Sequence, residues 1–297
     1  MLLRVARKVV YLRSMGSRFL WFKVKSRFVK PRTSRHLPLD AFHGTGLEIG
    51  GPSAIFSTGG FLPVYESASR VDNVTFADHT RWEGCVGAGR NFVFNPKKEP
   101  GTQFILEGGD LSSLPAEGYD FIVSSHMLEH SANPLRVLLT WKRLLKPEGR
   151  LLLVLPHRDS SFDHRRPVTT LAHLVEDFES DRGEDDTTHF EEILSLHDLR
   201  RDPGQASASD FASWIRANAA NRGAHHHVFD LNVSVQMLTE AGFRVAAVEA
   251  VMPLHIVVFA TNPGDGNGVK NECFLNVETE PYRTSPFPSD RVSELVA

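Results

Sequence analysis

The chain has 297 residues, 41% hydrophobic and 23% charged, with a formal net charge of −3. This is an ordinary soluble composition with room for one large core or two modest ones. Cys85 and Cys273 are its only cysteines, which excludes a disulfide framework and a cysteine-based zinc site. Residues 1–35 hold 11 Lys and Arg and no acid, leaving 22 basic against 36 acidic residues beyond, a balance that disfavours nucleic acid as a partner.

Segment 1–35 reads as a basic amphipathic helix. Leu2, Val5, Val9 and Leu12 share a face, with Arg4, Arg7, Lys8 and Arg13 around it. It contains no apolar run of the ~18 residues that a membrane span needs. Residues 1–30 therefore suit a solvated or core-docked leader, a peripheral contact with an anionic membrane, or an organelle-targeting peptide. The expected location is the cytoplasm, with the peripheral contact as a variant.

Residues 36–44 form a linker. Over 45–156 short apolar runs alternate with helical patterns, as βαβ units do. Strands are expected at Gly46–Ile49, Arg70–Phe76, Gln103–Glu107, Asp120–Ser124 and Arg150–Leu155. A helix is expected from Pro134 to Leu145, stopped by Pro147 and Gly149. The stretch from Ser53 to Arg70 is poor in helix signals. Residues 157–227 carry eight of the 14 histidines and an acidic run. They are too long for a connection inside such a sheet and read as a partly helical inserted cap. The rhythm returns over 228–262, with a helix at Phe229–Gly242 and strands at Phe243–Val251 and His255–Thr261. Residues 263–297, rich in Gly, Pro, Asn and Ser, read as a loosely ordered tail.

The run Thr45-Gly46-Leu47-Glu48-Ile49-Gly50-Gly51-Pro52-Ser53 is a strand end whose backbone passes close to a ligand. After it come Asp120–His126, then Leu128-Glu129-His130, then Arg143–Gly149. In this order the pieces resemble class I S-adenosylmethionine-dependent methyltransferases, in the type 11-like group that methylates small metabolites and sugars. The resemblance covers about residues 44–156 and, more weakly, 228–262. It implies an α/β fold: a doubly wound, Rossmann-like, seven-stranded sheet, its last strand antiparallel, with the cap inserted after the fifth strand (residues 36–156 and 228–262 forming the core).

The cofactor implied is S-adenosylmethionine. Gly50 and Gly51 let the backbone approach it, and Glu48 is expected to accept hydrogen bonds from its amine or from water. By resemblance, Asp72 takes the ribose hydroxyls, Asp110 beside Leu111 takes the adenine amino group, and Ser125 and His126 close the pocket. Pro52 departs from the family's usual turn of three spaced glycines, and from the dinucleotide fingerprint, which argues against NAD.

His126-Met127-Leu128-Glu129-His130 also matches H-x-x-E-H, a zinc-peptidase pattern. It follows directly on a strand and Pro134 comes soon after, leaving little helix for such a site, so no metal is expected there. Methyl transfer to a hydroxyl, a weak nucleophile, is commonly helped by a neutral histidine or a metal ion that aids removal of its proton. His157 and His164 are the candidates, with Asp163 as orienting partner, and Arg165 and Arg166 are expected to hold an anionic substrate group. The expected function is methylation of a small acceptor, an oxygen of a sugar, glycan precursor or secondary metabolite. The alternatives are a metal-dependent hydrolase using the H-x-x-E-H segment and a non-catalytic methyltransferase-like partner protein. The oligomeric state is not legible.

Overall fold

The computed structural model describes residues 39–202, 204–264 and 269–294; the reading of segment 1–35 lies outside them. The first half of the chain builds β1 (Thr45–Ile49), α1 (Val64–Ser67), β2 (Arg70–Thr75), a small hairpin β3 (His79–Thr80) and β4 (Gly84–Cys85), β5 (Gly89–Phe92), β6 (Gly101–Ile105), β7 (Tyr119–Ser125), α2 (Pro134–Leu144) and β8 (Leu145–Pro156). Strands β1, β2, β6, β7 and β8 fall where apolar runs predict them, because a strand buried on both faces carries apolar residues at nearly every position. In β8, Leu151, Leu153 and Leu155 pack on one face and Leu152 and Val154 on the other, all fully buried.

The sheet order is β5-β6-β2-β1-β7-β8-β10-β9, where β9 is Arg244–Val251 and β10 is His255–Thr261. Strands β6, β2, β1, β7 and β8 are mutually parallel, while β10 runs antiparallel to both β8 and β9. The strand order thus reverses beside β1, which opens a crevice at the carboxyl ends of β1 and β7. Among the described residues this sheet has eight strands rather than seven. The extra strand, β5, pairs antiparallel on the outer edge of β6. Its sequence, Gly-Arg-Asn-Phe, is mostly exposed and lacks the apolar alternation that marks a strand.

Helix α2 begins as its sequence implies. Asn133 accepts a hydrogen bond from the Arg136 backbone N–H at 3.0 Å, and Pro134 occupies the first turn. The first crossover is irregular, with only the single turn of α1. The cap follows β8 and holds α3 (Leu171–Glu179), α4 (Phe190–Leu196), α5 (Ala208–Arg216) and α6 (Asn218–Asn221). The chain returns through α7 (Leu231–Glu240), capped by Asp230 and ended at Gly242, whose φ of +75° needs glycine.

The described part of the C-terminal segment is not loose. It forms α8 (Glu272–Leu275) and α9 (Glu280–Arg283), and Tyr282 within α9 and Phe287 beyond it are buried in the main core. Asn271 donates to the Phe243 carbonyl at 2.9 Å and accepts from the Val245 N–H at 2.9 Å. Composition misled here: a few buried side chains anchor a segment whose average is polar. No helix among the described residues is long and apolar enough to cross a membrane.

Candidate active site

A cavity of about 1200 Å³ opens at the carboxyl ends of the parallel strands. Its floor is Ile49, Gly50, Thr75, Gly108, Ser125 and His126, and the cap and the β3–β4 hairpin form its walls.

The turn after β1 is built from beneath. Gly50 has φ +81° and donates its N–H to the Val74 carbonyl at 2.9 Å. A Cβ on Gly51 would sit 2.0 Å from the Glu48 carboxyl carbon. Glu48 is fully buried under this loop, accepting from the Ser53 N–H at 2.9 Å and from the Tyr65 hydroxyl. Burial pushes its pKa up to about 7, against the lowering effect of those two donors. Glu48 and Gly51 thus shape the loop from below, and neither lines the cavity. Gly50, Ser125 and His126 do line it.

Other expected cofactor contacts fall elsewhere. Asp72 sits in the middle of β2, opposite Leu47, rather than at the strand's end. Its carboxylate accepts from Arg70 Nε at 2.9 Å, the Thr102 N–H at 2.7 Å and the Tyr119 hydroxyl at 3.4 Å. It is buried and outside the cavity. Asp110 is exposed and accepts from Ser112 Oγ at 2.8 Å, a local turn that lowers its pKa. Leu111 is a core residue.

The cap residues are redistributed too. His157 is completely buried, stacked on Phe287 at 4.0 Å with Nε2 3.1 Å from Asp290, so it anchors the C-terminal segment. His164 Nε2 lies 3.1 Å from Asp198, which also takes Arg165 and Arg200. None of these lines the cavity. Arg166 is 1% exposed and donates to Asp163, Glu192 and the His225 and His226 carbonyls, so it is a structural tie with no group left for a substrate.

Asp163 does orient a histidine, but the partner is His225, 62 residues away. His225 Nδ1 lies 2.6 Å from Asp163 Oδ2, while Nε2 is 3.9 Å from Glu129 Oε1. His225, Glu129 and His130 all line the cavity and offer ligand atoms within 4.8 Å of one another. His130 Nδ1 is 3.1 Å from the Ala224 carbonyl. Burial and the neighbouring His225 push the His130 pKa down to about 4, so its ring is neutral. Burial opposes charge on His225, but Asp163 and Glu129 outweigh it and its pKa is raised. Burial would likewise raise Asp163, yet His225 and Arg166 hold it far below the usual carboxylate range.

His126 has φ +53°, an uncommon backbone state for a non-glycine residue that recurs at functional turns. Its Nε2 meets His255 Nδ1 at 2.8 Å, and burial followed by His126 itself pushes His255 down to about 3. Leu128–His130 is a single 3₁₀ turn, so His126 and His130 do not share a helix face as a zinc peptidase requires. His225 escaped the sequence reading because its only signal was its place in the run His225-His226-His227.

An open, mainly parallel α/β sheet with a deep cavity at its topological switch point defines a Rossmann-like enzyme that binds a nucleoside-bearing cofactor. The chain belongs to the methyltransferase-domain family, whose model matches residues 23–248. It is an S-adenosylmethionine-dependent methyltransferase. Among solved structures it is similar to an S-adenosylmethionine dependent methyltransferase from Mesorhizobium loti (16% identity, TM-score 0.43, covering 77% of this chain and 94% of that one). It is also similar to one from Methanosarcina mazei (16% identity, TM-score 0.41, covering 82% and 99%). No curated protein matches the chain.

The residues present fit that cofactor. The cavity wall exposes backbone at Gly50, Gly108 and Gly109, where a Cβ would project to within 3.2–3.5 Å of Met127, Ile49 or Val137 side chains. Val74, Phe76, Leu106 and Met127 offer apolar walls for a purine. Glu83, in the β3–β4 turn, and Glu107, two residues past β6 and paired with Arg222 at 2.6 Å, also line the cavity.

Proposed function

We propose that the enzyme methylates an oxygen of a sugar, glycan precursor or related small metabolite, with His225 as general base and Asp163 as its positioning residue. One observation carries the reading. The 2.6 Å contact to Asp163 fixes the proton on His225 Nδ1 and leaves Nε2 as an acceptor at the cavity wall. Bound S-adenosylmethionine supplies an electrophilic sulfonium methyl group, whose loss leaves a neutral thioether. The chain's residues do the rest. His225 takes the acceptor hydroxyl's proton as its oxygen attacks, and Asp163 stabilises the imidazolium that results. The cap and the β3–β4 hairpin exclude water, and positioning supplies much of the rate. Trp82, half exposed, and Trp214, with Arg81 over its ring at 4.8 Å, give the wall flat apolar faces beside cations. Such a surface suits a sugar ring bearing acidic groups.

The test is transfer of labelled methyl from S-adenosylmethionine to a panel of sugar, phenol and amine acceptors. Labelled O-methyl product is expected, with a loss of about 10²–10⁴ in kcat for His225→Gln at unchanged S-adenosylhomocysteine affinity. N-methyl products alone, or full turnover by His225→Gln, would overturn the proposal.

A further inference from the structure

A second group of histidines lies in the cap, away from the cavity. His173 and Asp177 sit one turn apart on α3, His189 immediately precedes α4, and His227 lies in the segment leading to α7. One ligand atom from each falls within 4.8 Å of the others. His173 Nε2 is 2.8 Å from His189 Nε2 and 3.4 Å from Asp177 Oδ2, and His227 Nε2 is 3.8 Å from that same oxygen. A tetrahedral zinc site with bonds of about 2.0–2.2 Å has ligand–ligand edges of roughly 3.4 Å, inside this spread.

Two features point to an ion rather than to a protein-only cluster. Asp177 Oδ2, the atom that His173 and His227 both face, is buried and has no hydrogen-bond partner, an unusual state for a carboxylate in such a polar neighbourhood. His189 places Nδ1 3.2 Å from Asp186, the outer carboxylate contact that orients a ligating imidazole toward a metal with its other nitrogen. Asp177 and Asp186 bring two carboxylates to the site, with Arg182 facing them at 3.7 and 3.5 Å. The side chain of His173 is 40% exposed, which provides a way in.

We propose that His173, Asp177, His189 and His227 bind one zinc ion, which ties α3, the start of α4 and the 224–230 segment into one unit. The four donors fill the coordination sphere with no position left for substrate, as in structural zinc sites. The proposal does not rest on the acceptor or on His225 as base.

The test is elemental analysis of the full-length protein after dialysis against zinc and then against buffer, with thermal unfolding before and after dipicolinate. About one zinc per chain is expected in the wild type and in Glu129→Gln. His189→Ala and the milder Asp177→Asn should lose it. Dipicolinate should lower the wild-type Tm reversibly and leave the two cap variants unmoved. Cobalt substitution of the wild type, which needs no variant to fold, should give the visible bands of a tetrahedral ion. Failure of the wild type to retain zinc, retention by His189→Ala, or loss in Glu129→Gln would each overturn the proposal, the last by placing the ion in the cavity.

Discussion

The sheet core and the cap are held together by different chemistry. Around β1, β7 and β8 the buried side chains are almost all aliphatic or aromatic, on both faces of the sheet. The cap's own apolar cluster has only Ile193, Phe211, Ile215 and Ala224 fully inside. Its centre is instead the Arg166–Asp163–His225 network and the histidine knot. Burial of apolar area is non-directional and tolerates rearrangement, whereas a buried polar network holds only when every partner is in place. The cap is therefore the region where one substitution can reach both stability and catalysis.

Loss of the central cap arginine is the strongest way to break this contrast. Arg166→Ala should destabilise by about 3–5 kcal/mol, since it leaves Asp163 charged and buried. In the core, Leu153→Ala should cost about 2–5 kcal/mol by cavity formation. Urea unfolding compares them, and only the cap change should also remove activity in the fraction that stays folded.

The next largest effect is on rate against pH. A base must be neutral, so kcat should rise with pH through the raised His225 pKa, above its ordinary 6.5. Asp163→Asn should lower kcat and shift that rise to lower pH, because the carboxylate that favours the imidazolium is gone. A purely structural role for Asp163 would leave the midpoint in place.

Glu48 makes a stability test within the core. Its folded pKa of about 7 lies above the ordinary 4.5 of a glutamate. The stabilisation linked to its proton is therefore complete below about pH 4.5 and is lost as pH rises through 7. Glu48→Gln keeps the shape, removes that slope, and should stabilise the protein by about 1–3 kcal/mol at pH 8, measured by denaturant titration.

The smallest expected effect is that of Asp110→Ala, an exposed turn carboxylate. Stability should barely move, with S-adenosylhomocysteine affinity unchanged in calorimetry. A clear loss of affinity would restore Asp110 to the cofactor site.

The strands of the core and α2 were legible because their signals are local. Alternation, Asn133-Pro134 at a helix start and Gly242 at a helix stop each depend on neighbours within a few residues. Strand β5, four residues with one buried side chain, carried no such signal. Asp72 shows the intermediate case. Its strand was visible, but whether a carboxylate stands at the strand's end or in its middle depends on how far the strand runs. Thr75 closes it three residues later.

By itself the sequence determined the class of fold and the cofactor. Only the tertiary structure decided which histidine does what. His157 is spent on Asp290, His164 on Asp198, and His225 is turned to the cavity by Asp163. The physical reason is range: periodicity and turn chemistry act over one or two turns of chain, whereas a histidine's proton and orientation are set by partners 34 to 133 residues away.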